Sequence, residues 1–386
     1  MIPYSRQHIT SSDVKSVTGV LKSDLITQGK IVPEFESLLC KTVGAKFATA
    51  VNSATSALHI ACLSLGLKKG DYLWTSTNTF VASANCGLYC GAKIDLIDIN
   101  EKNFNLSIEY LENKLIIARK KNKLPKIIVS VHFSGNPNDQ ERLFILSKKY
   151  KFKIIEDASH SLGASRFSEK VGNCKWSDIT IFSFHPVKII TSGEGGAALT
   201  NSKKLNSLLK RYREHGIERN QNLMKYKNKE PWYFEQNKLG FNYRMTDIHA
   251  ALGLSQLKRL KVIVKKRNMI ANMYFKKLKH PDIRMIEIDK NNVSSFHLFP
   301  ILVPPKLHLK VFNYLRKNGI NVGLHYIPIY RHPYFEKSYK RSNFPNSEYY
   351  YSSVISIPIY YQLKIKEVDL VCQTLIKALK IFSKYK

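Results

Sequence analysis

The sequence predicts an α/β protein with a large domain built on a mostly parallel sheet and a smaller C-terminal α/β domain. Three observations predict it. From about residue 45, short apolar runs alternate with helical stretches, which is the pattern of parallel strands joined by crossover helices. After Thr246 the texture changes to a long basic helical stretch and then a second, shorter strand–helix alternation. The 386 residues, 44% of them hydrophobic, suffice for a large buried core or for one big and one small lobe.

The elements follow in order. Phe47–Val51 is a short strand, and Ser53-Ala54-Thr55-Ser56-Ala57-Leu58 opens a helix that runs to about Leu65, with Gly66 placed to end it. Residues 71–76 read as a strand, 80–91 as a helix and 94–99 as a strand. Residues 127–133 are strand-like and precede a helix over 139–150. Ile154-Ile155 is a strand ending at Glu156-Asp157, and 179–184 and 197–200 are two more. Residues 247–260 carry apolar side chains at helical spacing, and a basic helix continues over 261–279. Strand, helix and strand are expected over 298–303, 310–318 and 322–326, with a last helix over 366–382. The expected domains are 1–261, including the N-terminal segment, and 262–386.

Composition excludes several classes. No run of about 18 apolar residues marks a membrane span, and the N-terminus lacks the apolar stretch of a secretory signal. The six cysteines form neither a disulfide frame nor a metal-ligand pattern, and Cys86 and Cys90 read as buried thiols of a cytoplasmic protein. The net charge of +32 is spread along the chain, so it reads as solvated lysine-rich surface. Such a surface attracts anions, phosphorylated metabolites included. No motif that reads or stacks nucleobases accompanies it, so specific nucleic-acid binding is not expected.

Four segments carry chemistry. In Ile181-Phe182-Ser183-Phe184-His185-Pro186-Val187-Lys188 a strand delivers a serine and then a lysine, and the Gly-rich run Ser192-Gly193-Glu194-Gly195-Gly196 follows. Glycines let the backbone turn sharply and pass close to a bound group. A lysine in a partly apolar pocket loses protons more readily and becomes an amine nucleophile; the plain alternative is a surface lysine beside a turn. In Ile154-Ile155-Glu156-Asp157-Ala158-Ser159-His160 an aspartate ends a buried strand, where α/β ligand sites form. A carboxylate there suits a protonated pyridine nitrogen, and His160 would face the same ring. Alone, Asp157 reads equally as a helix cap and His160 as a core histidine. Asn52-Ser53-Ala54-Thr55 offers N–H groups and hydroxyls to a phosphate at a helix start, or is an ordinary cap. Phe80, just beyond a strand, would stack on a flat ring or simply fill core.

The four occur in one order, and with them the chain resembles the DegT/DnrJ/EryC1/StrS family of sugar aminotransferases, of aspartate-aminotransferase fold type I. The likeness runs from Leu25-Ile26-Thr27-Gln28-Gly29-Lys30 to Ile355-Ser356-Ile357-Pro358, through NSATSAL, EDASHSLGA, SFHPVKIITSGEGG, LGFNYRMTDIHAALGLSQL and HYIPIY. The resemblance implies pyridoxal 5'-phosphate as cofactor. It implies that Lys188 binds it covalently and shuttles a proton, and that Asp157 pairs with the pyridine nitrogen. His160 would sit by the ring hydroxyl, where many relatives carry Gln, and Phe80 would stack on the ring. Ala54, Thr55 and Ser183 would hold the phosphate, and Asn242 would reach the phosphate of a neighbouring subunit, implying a homodimer with shared active sites. Arg244 would clamp a glutamate carboxylate or brace the dimer loop.

Within the family the likeness is to aminotransferases of pseudaminic acid biosynthesis, on Val131-His132-Phe133-Ser134-Gly135, Glu230-Pro231-Trp232-Tyr233 and Leu324-His325-Tyr326-Ile327-Pro328-Ile329-Tyr330. It implies amino transfer from L-glutamate to C4 of a UDP-linked 4-keto-6-deoxy-N-acetylhexosamine. Tyr4, Asp24, Thr27, His325 and Tyr326 would line the sugar-nucleotide site. Ser192-Gly193 departs from the more familiar Thr-Ala before Glu194. A GDP- or dTDP-linked keto sugar is the first alternative. A dehydratase is the second, since some relatives have His in place of the catalytic lysine; here the lysine is present and His185 lies three residues earlier.

Overall fold

The computed structural model describes residues 1–226 and 230–383. Its centre is a seven-stranded sheet in the order Phe47–Val51, Gly196–Thr200, Ile179–Ser183, Lys153–Asp157, Ile127–Val131, Tyr72–Ser76 and Lys93–Ile97. Gly196–Thr200 runs antiparallel to both its neighbours, and the remaining pairings are parallel. The sheet is buried on both faces, so its strands carry apolar residues nearly continuously instead of alternating. In Ile179–Ser183, Ile179 and Ile181 pack on one face with Leu58, Ile60 and Val129, while Phe182 packs on the other with Phe35, Leu39 and Ala250.

The helix Ala54–Ser64 forms where the sequence places it: Ser53 caps it by accepting from Ser56 N, and Gly66, at φ +75°, terminates it. Helices Ser11–Leu21, Ile31–Val43, Ile108–Lys120, Lys203–Arg213 and Pro345–Ser353 were not expected from the sequence. Ile31–Val43 buries Val32, Phe35, Leu39 and Val43, a helical spacing beyond a proline that its first turn tolerates. The expected helix over 247–260 ends earlier, as Asp247–Leu257, and a separate helix spans Leu260–Lys277.

The C-terminal part is a three-stranded antiparallel sheet of Arg284–Met285, Phe299–Leu302 and Val354–Ile357, with helices Pro305–Lys317 and Ile365–Ser383 packed on its core. Leu260 and Ile263 belong to the core under the large sheet, whereas Ile270, Ala271 and Tyr274 belong to the C-terminal core. One helix therefore ties the two parts together. Ile2 joins the C-terminal core as well, bridging to Ile320.

Two expectations need correction. Residues 322–326 are not a strand; they make a lone bridge at Gly323–Ser356, because Tyr326 N donates to the Asn78 side chain instead of to a neighbouring strand. Cys90 is not buried. It caps the helix Ala82–Tyr89 at its C-terminus and is partly exposed, while Cys86, inside that helix, is buried.

Candidate active site

Eight separate stretches of the chain meet at one cavity of about 400 Å³. It lies at the carboxyl ends of the parallel strands, where sheets of this kind bind ligands. Lys188 enters from the loop after Ile179–Ser183. That loop is held rigidly: Phe184 N donates to Gly195 O and Ser192 N to Phe184 O, each at 2.9 Å, and Thr191 Oγ1 donates to Phe184 O at 3.0 Å. Removal from water pulls the Lys188 amine down to about 8, and the Asp157 carboxylate pulls the other way. A fraction of the side chain is therefore a free amine near neutral pH.

Asp157 ends the strand Lys153–Asp157 and is buried. Ser83 Oγ donates to its Oδ2 at 2.7 Å, while Ser159 donates to its Oδ1 from Oγ at 2.6 Å and from N at 3.2 Å. Three donors of this kind fix the orientation of both carboxylate oxygens.

Across the cavity, Ser53, Ala54 and Thr55 present the N-terminus of the eleven-residue helix Ala54–Ser64. Its free N–H groups and positive dipole end form an anion site. The strand beginning at Gly196 runs directly beneath it. A Cβ on Gly196 would lie 2.4 Å from Ala54 N, so only glycine allows this approach. Ser183 lines the same end.

Phe80 lies on the cavity wall and is largely exposed, its ring 6.1 Å from that of Tyr326. Tyr326 shares a hydrogen bond of 3.0 Å between its hydroxyl and His160 Nε2. His325 is held through Nδ1 to Ser356 Oγ at 3.0 Å and packs against Tyr4. Burial and the nearby Lys188 charge hold the His325 imidazole down to about 4.

Thus Tyr4, Ala54, Thr55, Phe80, Asp157, His160, Ser183, Lys188, His325 and Tyr326 all line one cavity. Asp24, Thr27 and Asn242 do not. Asp24 lines a separate cleft of about 860 Å³ beside the helix Ser11–Leu21. The loop carrying Asp24 and Thr27 is pinned away from Lys188 by Asp247, whose carboxylate accepts from Gly29 N at 2.5 Å and Val32 N at 2.8 Å, and whose N–H donates to Ile26 O. Asn242 lies on the surface in a short bridge to Glu214, and Arg244 bridges to Val51. Sequence reasoning missed Ser83, which anchors Asp157, and His297, which lines the cavity beside His160. Ser159, two residues past an aspartate, carried a local signal, since an Asx turn uses that spacing.

A family model described as DegT/DnrJ/EryC1/StrS aminotransferase family matches residues 7–376. The chain belongs to this family. One relative, the UDP-4-amino-4,6-dideoxy-N-acetyl-beta-L-altrosamine transaminase of Campylobacter jejuni subsp. jejuni serotype O:2, is 39% identical over 384 residues, covering 98% of each chain. Among solved structures of the family's fold, Helicobacter pylori PseC, an aminotransferase involved in the biosynthesis of pseudoaminic acid, superposes with a TM-score of 0.90 at 32% identity, over 98% of this chain and 99% of that one. The PLP form of the sugar aminotransferase Spr1654 of Streptococcus pneumoniae gives a TM-score of 0.88 at 25% identity, over 98% of both chains.

Proposed function

We propose that the protein is a pyridoxal-phosphate-dependent aminotransferase that moves an amino group from L-glutamate to C4 of a UDP-linked 4-keto-6-deoxy-N-acetylhexosamine, in pseudaminic acid-type nucleotide-sugar biosynthesis in the cytoplasm. The observation that carries this reading is a lysine amine brought down to about 8 in the same cavity as a carboxylate fixed by two serines. The named transaminases of C. jejuni and H. pylori, at 39% and 32% identity, support the choice of substrate.

The residues fit the cofactor. The anion site at Ala54 and Thr55, opened by Gly196, suits its phosphate, and the anchored Asp157 suits a protonated ring nitrogen. Phe80 and His160 supply flat walls. When bound, pyridoxal phosphate supplies an aldehyde that takes up amines covalently and a ring that disperses charge from the reacting carbon. Lys188 Nζ would hold the cofactor and, as a free amine, would carry a proton from one carbon of the reacting pair to the other. The carboxylate of Asp157, fixed by Ser83 and Ser159, would pair with the ring nitrogen. Tyr326, whose phenol is raised by burial, stays protonated and donates or accepts only through its hydrogen bond network.

The proposal includes a homodimer with shared active sites. Asn242 is exposed, Asp24 and Thr27 lie outside their own cavity, and Leu21, Leu25 and Ile26 beside them expose large apolar side chains. A patch of that kind is the usual signature of a protein–protein contact. In the second subunit's cavity these residues would meet the phosphate and the sugar nucleotide.

Absorbance of the purified protein tests the cofactor: a band sensitive to borohydride is expected, and a protein without it, or a Lys188→Ala variant with the same reducible band, overturns the reading. Turnover with glutamate and a panel of UDP-, GDP- and dTDP-linked keto sugars tests the substrate, with ping-pong kinetics and the UDP sugar favoured.

A further inference from the structure

His297 has no assigned role, yet it lines the Lys188 cavity and is buried. Its ring centroid lies 4.3 Å from that of His160, at an interplanar angle of 45°. His160 is enclosed on its other sides by the edge of Phe133 and by Tyr326. His160 Nε2 meets Tyr326, while Nδ1 of His160 and Nδ1 of His297 are buried with no hydrogen-bond partner among the described residues.

Cations stand before and behind the pair, while the carboxylates of Asp157 and Glu194 line the same cavity. Lys188 and His325 face it from the cavity. Behind it, Arg267 of the helix Leu260–Lys277 is buried without a carboxylate and donates to the carbonyls of Phe296, His297 and Ile359 at 3.0, 3.3 and 3.0 Å. Asp157 is tied to Ser83 and Ser159 and bonds neither ring. Burial and the Lys188 charge hold both imidazoles well below their usual range, and Arg267 adds to this at His297.

We propose that His297 is a positioning residue for amino transfer: braced from behind by Arg267, it fixes the plane of His160 and so the ring and the Tyr326 hydrogen bond that His160 sets beside the bound cofactor. A fixed imidazole keeps Nε2 on the Tyr326 hydroxyl and its ring at the cavity wall, against a partner that the proposed function identifies as the cofactor ring. An imidazolium there would add a cation beside Lys188 and drive its amine further from the charged state. The inference rests on the proposed function only for the identity of that partner.

The test is imidazole nitrogen NMR and cofactor absorbance on the cofactor-loaded protein, in wild type, His297→Phe and His297→Gln. In wild type, His160 and His297 stay uncharged to at least about one pH unit below the ordinary histidine value. In His297→Phe the His160 nitrogen shifts and the absorbance maximum at fixed pH both move, and kcat falls roughly 10- to 100-fold, with the KM for glutamate within about twofold. Partial return of the spectrum in His297→Gln supports the role. Unchanged His160 shifts and absorbance in a folded His297→Phe variant overturn it, whatever happens to kcat. Should both variants fail to fold, the wild-type titration decides: charging of His160 near the ordinary value overturns the proposal. A wild-type protein that binds no pyridoxal phosphate breaks the proposed function instead, and the His160–His297 coupling is then still read from the nitrogen shifts.

Discussion

The Lys188 cavity and the surface carrying Asp24, Thr27 and Asn242 are built in opposite ways. Around Lys188 the polar side chains are held from within the same chain: Asp157 by Ser83 and Ser159, His325 by Ser356, Tyr326 by His160 and Asn78. At the other surface the backbone is held, through Asp247 to Gly29 and Val32, but the side chains of Asp24 and Asn242 point to no cavity that contains Lys188. The chain thus carries one finished reaction centre and one rigid, unspent set of polar groups. The difference teaches that rigidity precedes use: in the proposed homodimer, a loop fixed this firmly and exposed this fully would serve the second subunit's site.

The largest effect expected is on the finished side. Lys188→Ala should lower turnover by about 10³-fold or more, since proton transfer by a positioned side chain alone contributes 10²- to 10⁴-fold. Rapid-quench turnover at saturating substrates checks it, and a loss under tenfold breaks the comparison. Asp157→Asn keeps the shape and removes the charge, so kcat should fall roughly 10²-fold, while Ser83→Ala, removing one of three donors to it, falls less. On the other side, Asn242→Ala should leave the absorbance of the saturated protein unchanged but weaken cofactor retention roughly tenfold, the size of one hydrogen bond to a charged group. Equilibrium dialysis reads this directly.

Gly29 sharpens the comparison from the structural direction. A Cβ there would meet Asp247 Oδ2 at 2.5 Å. Gly29→Ala should therefore destabilise the fold by about 1–3 kcal/mol in denaturant titrations and should disturb the open surface before the Lys188 cavity. The smallest effect concerns pH. The folded-state Lys188 amine sits near 8, against an ordinary 10.5. Between those values the unfolded chain binds the extra proton, so in the cofactor-free protein this group's penalty is full below about 8 and fades as pH rises toward 10.5. Stability measured against a Lys188→Met reference should show wild type gaining relative to the variant across that window.

Much of the reaction centre was legible because local chemistry and strand ends announce it. Ser53 caps the helix that the small hydroxylated run predicted, and Asp157 and Ser183 end strands that their β-branched and apolar residues predicted. What was not legible depends on distant partners. Asp247 holds Gly29 across 218 positions of sequence, and nothing near either residue signals it. His297 reaches the cavity only because Arg267 and the strand after it fix its backbone. Residues 322–326 carry strand-forming side chains, but Tyr326 N is taken by Asn78 and the ladder never forms. The expected division between residues 261 and 262 falls at the start of a helix that serves both cores, so the boundary is a hinge point shared by two packings and not a linker.

The most direct test mixes two inactive proteins. Lys188→Ala and Asn242→Asp, the second placing a negative charge where a phosphate is expected, are each assayed alone and then after subunits are exchanged. With shared sites, mixed dimers hold one cavity with both changes and one with neither, so activity should return to about a quarter of wild type for random pairing of two-fold dimers. Activity no higher than the sum of the two parents would contradict a Lys188 centre completed by Asn242 of the second chain.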